Sequence, residues 1–331
     1  MKNLKYTVKT VSILIASSFI LLTFSATAKS SEKIKAVATF SILGDMVKRI
    51  GGNHVQLTTL VGPNGDTHVY QPTPTAAKAM SEAKVLIVNG LGFEGWLDRL
   101  VEASDFDGKR VVATLGIKAI AHEEGDDHDK HAEDKHAEDK HAEDKHEDSH
   151  ADHEHGAFDP HAWQSVANAA IYVNNITAAL SQVAPEKAST FYQNRAAYIA
   201  EINGLHNQIL EMVARLPQNT RKVVTSHDAF QYFGRDYGLD FLATQGLSTE
   251  SEASAQDVAA LIEQMRSKNI KAVFIENITD PRLLKQIAKE TRATVGGTLF
   301  PGALSETNGP APTYLKMMHH NAKTLTQALG S

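Results

Sequence analysis

The sequence predicts an α/β fold of two Rossmann-like lobes, each built on a parallel sheet, joined by one long rigid helix, with a ligand site in the cleft between the lobes. Three observations carry this. Apolar β-type runs alternate with helical stretches between residues 33 and 115, the same alternation returns between residues 221 and 300, and an unbroken helical stripe separates the two. Strands that alternate with helices are joined by crossovers, which make parallel sheets whose ligands sit outside the carboxyl ends of the strands. The expected divisions are a signal peptide over 1–28, an amino-terminal lobe over 29–184 with an insert at 121–156, a linking helix over 185–216 and a carboxyl-terminal lobe over 217–331.

The chain opens as an export signal does. Lys2, Lys5 and Lys9 form a basic region, Val11 to Phe24 an apolar stretch short for a bilayer, and "ATA" at Ala26–Ala28 offers small residues for cleavage. This predicts export, to the periplasm in a Gram-negative cell.

In the first lobe "KIKAVATFSI" reads as a strand and Leu43 to Ile50 as a helix. "HVQLTTLV" is a second strand, beginning at His54, and leads into the turn-rich loop "GPNGDTHVYQPTP". A short helix, the buried strand "KVLIVNG", the helix "EGWLDRLV" and the strand "KRVVATL" follow, and after the insert order resumes at "FDPHAWQSVANAAIYVNNITAAL". The linking helix is read from Pro185 to Leu216, with Phe191, Tyr198, Ile202, Leu205, Ile209, Met212 and Leu216 on one stripe. Pro185 suits a first helical turn and Pro217 ends the run, giving a rod of roughly 45 Å. The second lobe reads as "RKVVTSH", a helix, "LDFLATQ", the helix Ser254 to Lys268, "IKAVFIEN", a helix from Pro281, "ATVGGTLF" and a closing helix from Ala311 to Leu329.

The 331 residues include no cysteine, which excludes a disulfide framework, thiolate metal ligands and a lipid-modified cysteine after the signal. The net charge of −6 is local. Fifteen acids and four lysines between His122 and His155 carry −11, leaving +5 elsewhere, of which the signal holds +3. The folded body is nearly neutral, which argues against a nucleic-acid partner.

The insert contains the pentad His-Ala-Glu-Asp-Lys three times and carries His128, His131, His136, His141, His146, His150, His153 and His155. Five residues turn a helix by about 140° beyond a full circle, so the pentad histidines cannot share one helical face. With no apolar residues to build a core, the segment is expected to be an accessory that binds divalent ions weakly and in many ways.

Three isolated histidines lie where strands should end: His68 in "GPNGDTHVYQP", His161 in "FDPHAW" and His227 in "VVTSHDAF". Gly, Pro and Asn around the first and Pro160 before the second would fix tight loops. An imidazole at such a place is either a hydrogen-bonded structural residue or a ligand; three of them, in a chain expected to be exported and carrying a His-rich insert, favour ligands. His206, beside the long helical stripe, reads as a surface residue, and His319 and His320 diverge by about 100° on one helix and cannot easily chelate together. "GDMVKRIGGN" and "GGTLFPG" lack phosphate-loop spacing, so no nucleotide site is read.

These residues carry a resemblance. "GPNGDTHVYQPTP", "DPHAW", "TSHDAFQYFGRDYGL" and "GGTLFPGALSETNGPAPTY", in that order and with a His-rich insert before "DPHAW", make the chain similar to the zinc/manganese-binding substrate-binding proteins of ABC importers, the ZnuA-like and adhesin-like group. The resemblance implies that His68, His161 and His227 hold the ion between two lobes joined by a rigid helix. It also implies that the ion passes to a membrane permease served by a cytoplasmic ATPase. The chain departs from the group in two places: Gly302 in "LFPGAL" stands where relatives often place an aspartate, and Thr67 stands between Asp66 and His68 where a proline is usual. The fourth coordination position then falls to water first, Asp66 second and an insert histidine third. Glu276 in "FIENI" is either a partner behind a ligand or an ordinary strand-end acid.

Three neutral imidazoles suit zinc, whereas manganese prefers carboxylate and water oxygens, and relatives of the manganese type tend to have Glu where His227 stands; manganese and iron rank below zinc. The expected function is therefore high-affinity binding of a divalent metal by a monomeric, non-enzymatic carrier. A zinc-dependent hydrolase competes with this, because three histidines and water on zinc is also a catalytic arrangement, although no HExxH motif is present. So does a His-rich periplasmic metal buffer or adhesin, in which the insert would be the active part.

Overall fold

The computed structural model describes residues 32–122 and 158–330; the signal peptide, the insert histidines and the last residue lie outside the described residues. Two four-stranded parallel sheets organise the chain, with strand orders β2-β1-β3-β4 and β6-β5-β7-β8. The first comprises β1 (Ile34–Phe40), β2 (Val55–Val61), β3 (Val85–Val88) and β4 (Lys109–Val112), interleaved with the helices α1 (Ser41–Gly51), α2 (Pro74–Ser81) and α3 (Leu97–Ala103). Helix α4 (Val166–Val183) and the long helix α5 (Ala188–Ala214) follow. The second sheet comprises β5 (Lys222–His227), β6 (Asp240–Gln245), β7 (Ala272–Glu276) and β8 (Thr294–Leu299), with α6 (Gln231–Tyr237), α7 (Ala255–Ser267) and α8 (Arg282–Thr291) between strands and α9 (Tyr314–Leu329) closing the chain.

Position in the sheet explains the composition of each strand. The inner strands β1, β3, β5 and β7 are buried almost throughout, as strands covered on both faces are, and the polar ends of β5 (Thr225–His227) and β7 (Glu276) are buried with them. The outer strand β2 alternates, with Gln56 exposed between buried or half-buried neighbours. Helix starts follow side-chain chemistry. Ser165 accepts from the Asn168 amide at the start of α4, Thr313 from Lys316 at α9, and Ser254 with Asp257 forms a reciprocal capping box at α7.

Helix α5 begins later than its sequence suggests. Pro185–Lys187 form a 3₁₀ turn and the α-helix runs from Ala188 to Ala214, 27 residues or about 40 Å. Its buried stripe is Phe191, Tyr198, Ile202, Leu205, Ile209 and Val213, so Val213 rather than Met212 completes the last turn. Helix α5 packs against α1, α4 and α9, which places it against both halves of the molecule. We expect Ile202→Ala, which empties a fully buried site, to cost about 2–5 kcal/mol in denaturant unfolding. A loss below about 1 kcal/mol would show that this stripe is not core.

Two further expectations are corrected. His54 does not begin β2: Gly52, at φ +52°, starts a 3₁₀ turn that His54 ends, and its ring meets Phe191 edge-on. His206 is half-buried rather than on the surface, with Nδ1 3.0 Å from the Tyr237 hydroxyl. The two ends of the insert are pinned together. Ala121 and Phe158 form an antiparallel bridge, the Asp159 amide donates to Ile120 O, and the Tyr232 hydroxyl accepts from the Ile120 amide and donates to Asp159 O.

Candidate metal centre

Each of the three isolated histidines is presented by a different piece of backbone. His68 lies in the loop after β2. Asn64 takes φ +55° there, and the Asp66 carboxylate turns back so that Oδ1 accepts from the His68 amide at 3.0 Å. The Trp96 indole N–H donates to Thr67 O at 2.9 Å and fixes the loop from beneath, while the Phe93 ring meets the His68 ring edge-on at 4.9 Å.

His161 repeats the same local device. The Asp159 carboxylate accepts from the His161 amide at 2.9 Å and from its Nδ1–H at 2.8 Å, and Asn89 donates to Pro160 O at 2.9 Å. His227 is the last residue of β5. Because Val224 pairs with Val273, three residues further on His227 and Glu276 end their strands side by side. Glu276 Oε2 takes the His227 Nδ1–H at 2.6 Å, and Oε1 accepts from the amides of Ser226 and His227.

These carboxylates dictate the chemistry. With Nδ1–H given to Asp159 or Glu276, the lone pair of each ring sits on Nε2 and points away from the carboxylate. The three rings converge: one nitrogen from each of His68, His161 and His227 lies within 4.8 Å of the others, and ring centroids are 5.3–5.7 Å apart. His68 Nε2 and His161 Nε2 are 3.3 Å apart, and His227 Nε2 is buried with no hydrogen-bond partner among the described residues. Two Zn–N bonds of 2.0–2.1 Å at a tetrahedral angle span about 3.3 Å, so the first pair is spaced as ligands of one ion. Among the described residues no cysteine, aspartate or glutamate joins this group.

The electrostatics keep two of the rings neutral. Burial, followed by the neighbouring imidazoles, drives His68 and His161 well below the ordinary histidine pKa. Burial also works against a charge on His227, but the Glu276 charge and hydrogen bond outweigh it and raise His227 above the ordinary value. Burial pushes the Asp159 carboxyl up to about 6, against the His161 amide that holds it down.

The remaining expected residues are placed as follows. Both Asp66 oxygens accept hydrogen bonds, Oδ1 from the His68 amide and Oδ2 from the Thr249 hydroxyl at 2.6 Å. Glu276 stands behind His227. Gly302 is buried, and a Cβ there would touch Trp163 and Ile278 at ordinary contact distance, so the position offers no donor. His128, His131, His136, His141, His146, His150, His153 and His155 lie outside the described residues. Asp159 carries a role that sequence reading did not give it; the spacing Asp-x-His, shared by Asp66 with His68 and Asp159 with His161, was the available signal. A cleft of about 770 Å³ opens beside the group, with His68, Tyr70, Trp96, Arg99, Phe158 and Glu250 in its walls.

Residues 36–328 match the family model described as zinc-uptake complex component A, periplasmic. The iron-binding protein YfeA of Yersinia pestis is 30% identical over 91% of this chain and 88% of its own length. The manganese-binding lipoprotein MntA of Bacillus subtilis is 30% identical over 93% of both. Among solved structures, the periplasmic zinc-binding protein TroA of Treponema pallidum superposes with a TM-score of 0.77 at 26% identity, covering 90% of this chain and 99% of that one. The Mn-bound periplasmic metal-binding protein of Candidatus Liberibacter asiaticus gives 0.74 at 29%, covering 90% and 100%. With the family match covering residues 36–328, and so both sheets, the chain belongs to the family of metal-binding substrate-binding components of ABC importers.

Proposed function

We propose that this protein captures zinc in the periplasm on His68, His161 and His227 and delivers it to an ABC permease driven by a cytoplasmic ATPase. The observation that carries the reading is the convergence of three imidazoles, two of them backed by carboxylates on Nδ1, with no carboxylate among the converging atoms of the described residues. Neutral nitrogen donors favour zinc over manganese, and water completes the shell where Gly302 supplies nothing. Manganese or iron is the second reading, favoured by the names of the relatives MntA and YfeA.

Transport rather than hydrolysis is supported by the family and by the use of Asp159, Glu276 and Asp66 as hydrogen-bond acceptors for histidine, which commits each of them elsewhere than to a general-base role. The curated MntA relative is a lipoprotein, whereas this sequence has no cysteine to carry a lipid. No helix among the described residues is long and apolar enough to cross a membrane, and a monomer diffusing between capture and permease fits these features. The insert histidines act as accessories.

Zinc titration by calorimetry tests the assignment, on the intact chain and on a variant lacking residues 121–156. The deletion removes Ala121 but joins chain ends that remain held together by the Asp159 amide on Ile120 O and by the Tyr232 hydroxyl. One tight site is expected in both proteins, with additional weak heat only in the intact chain. Disappearance of the tight site with the insert would move the function to the His-rich segment.

A further inference from the structure

The three histidines are not held equally. His161 and His227 are fully buried, and each has a carboxylate on both its backbone amide and its ring. His68 is only half-buried and rides on a loop, and the carboxylate near it, Asp66, grips its amide alone. If one ligand lets go first, it is His68.

Besides Trp96, that loop is held by contacts from the half of the molecule built on the second sheet. At one end the Asn64 amide donates to Leu304 O at 2.8 Å and Asn277 donates to Asn64 Oδ1 at 3.0 Å. At the other end the Thr249 hydroxyl donates to Asp66 Oδ2 at 2.6 Å. Thr249 lies in the loop after β6, which is rooted beside the metal group: the Asp228 amide, next to His227, donates to Gly246 O, and the Gln245 side chain donates to Ser251 O. Asp66 therefore bridges the two halves of the site, with one oxygen on the turn that presents His68 and the other on a hydroxyl anchored next to His227.

We propose that Thr249 is a positioning residue for the ion: through Asp66 its hydroxyl holds the His68 turn closed, and the break of this hydrogen bond is what lets the ion leave. The inference rests on the three-histidine zinc site proposed above and adds the element that sets its release rate. A docking permease that displaced the 246–254 loop would act on the ion through Thr249 and Asp66 without touching a ligand.

The test is stopped-flow zinc release from the full-length protein into excess chromogenic chelator, with zinc association measured separately. Thr249→Val removes the hydroxyl at nearly constant volume and is expected to speed release about tenfold or more, the scale of one hydrogen bond to a carboxylate. Association should change by less than about twofold, since the ligands themselves are intact. Thr249→Ser keeps the hydroxyl and should release zinc at the parental rate. A general loosening of the fold would show as a lower melting temperature, and both variants are expected to melt with the parent. Parental release from Thr249→Val overturns the inference, and so does equally fast release from both variants, because Thr249→Ser keeps the hydroxyl. If the parent itself holds no zinc tightly, the three-histidine site falls as well; if it holds zinc and Thr249→Val releases it no faster, only the role of Thr249 falls.

Discussion

Replacing His227 by alanine is expected to weaken zinc binding by roughly a hundred- to ten-thousandfold, about a third of the free energy typical of a structural zinc site. The size of the loss follows from the place of His227. It closes β5, is fully buried, and carries an Nε2 without a hydrogen-bond partner among the described residues. Truncation removes one of three nitrogen donors and leaves Glu276 buried without the ring that its Oε2 binds. His206→Ala is the matched control, since that ring bonds the Tyr237 hydroxyl and takes no part in the group. Calorimetry should therefore show near-parental affinity for His206→Ala and only weak binding for His227→Ala. Equal affinity in the two variants would remove His227 from the ligand set.

The second large effect is that of pH. Zinc needs the Nε2 lone pairs free, so any proton held in the metal-free protein must leave on binding. His68 and His161 are already neutral near pH 7 because burial depresses them, so they compete only in more acidic solution. His227 is raised above 6.5 because the Glu276 charge and hydrogen bond stabilise its imidazolium against burial, so it is the first ring to take a proton as pH falls. Affinity should then drop about tenfold per pH unit below that raised value. Near pH 6 a second proton enters the count, because burial sets the Asp159 carboxyl at about 6 and the bound cation favours its ionised form. The expected loss is on the order of a hundredfold between pH 6.5 and 5, with a slope of one steepening toward two. Glu276→Gln should move the onset to lower pH while costing about ten- to a hundredfold in affinity at neutral pH. An unchanged onset in Glu276→Gln would mean that another group takes the first proton.

Much of this was legible before any coordinates. Alternating apolar runs and helical stripes are local signals, and they mark the inner strands β1, β3, β5 and β7 because strands covered on both faces are mostly apolar. The loops around His68 and His161 were legible for the same reason: Gly, Pro, Asn and Asp restrict the backbone within a few residues. Boundaries were less so. Pro185 suggested a first α-helical turn and instead opens a 3₁₀ turn, while the spacing rule chose Met212 where Val213 faces the core.

Sequence alone determined the fold class, the presence of three strand-end histidines and the exclusion of thiolate chemistry, because each depends on residue type and short-range spacing. Tertiary structure alone decided which groups meet. Glu276 reaches His227 only because β5 and β7 are neighbours in a particular register, across 49 residues of chain. Asp66, next but one to His68, meets Thr249, 183 positions later, through its second oxygen. Sequence distance carries no information about such contacts; they follow from strand order and from the meeting of loops at the carboxyl ends of two sheets.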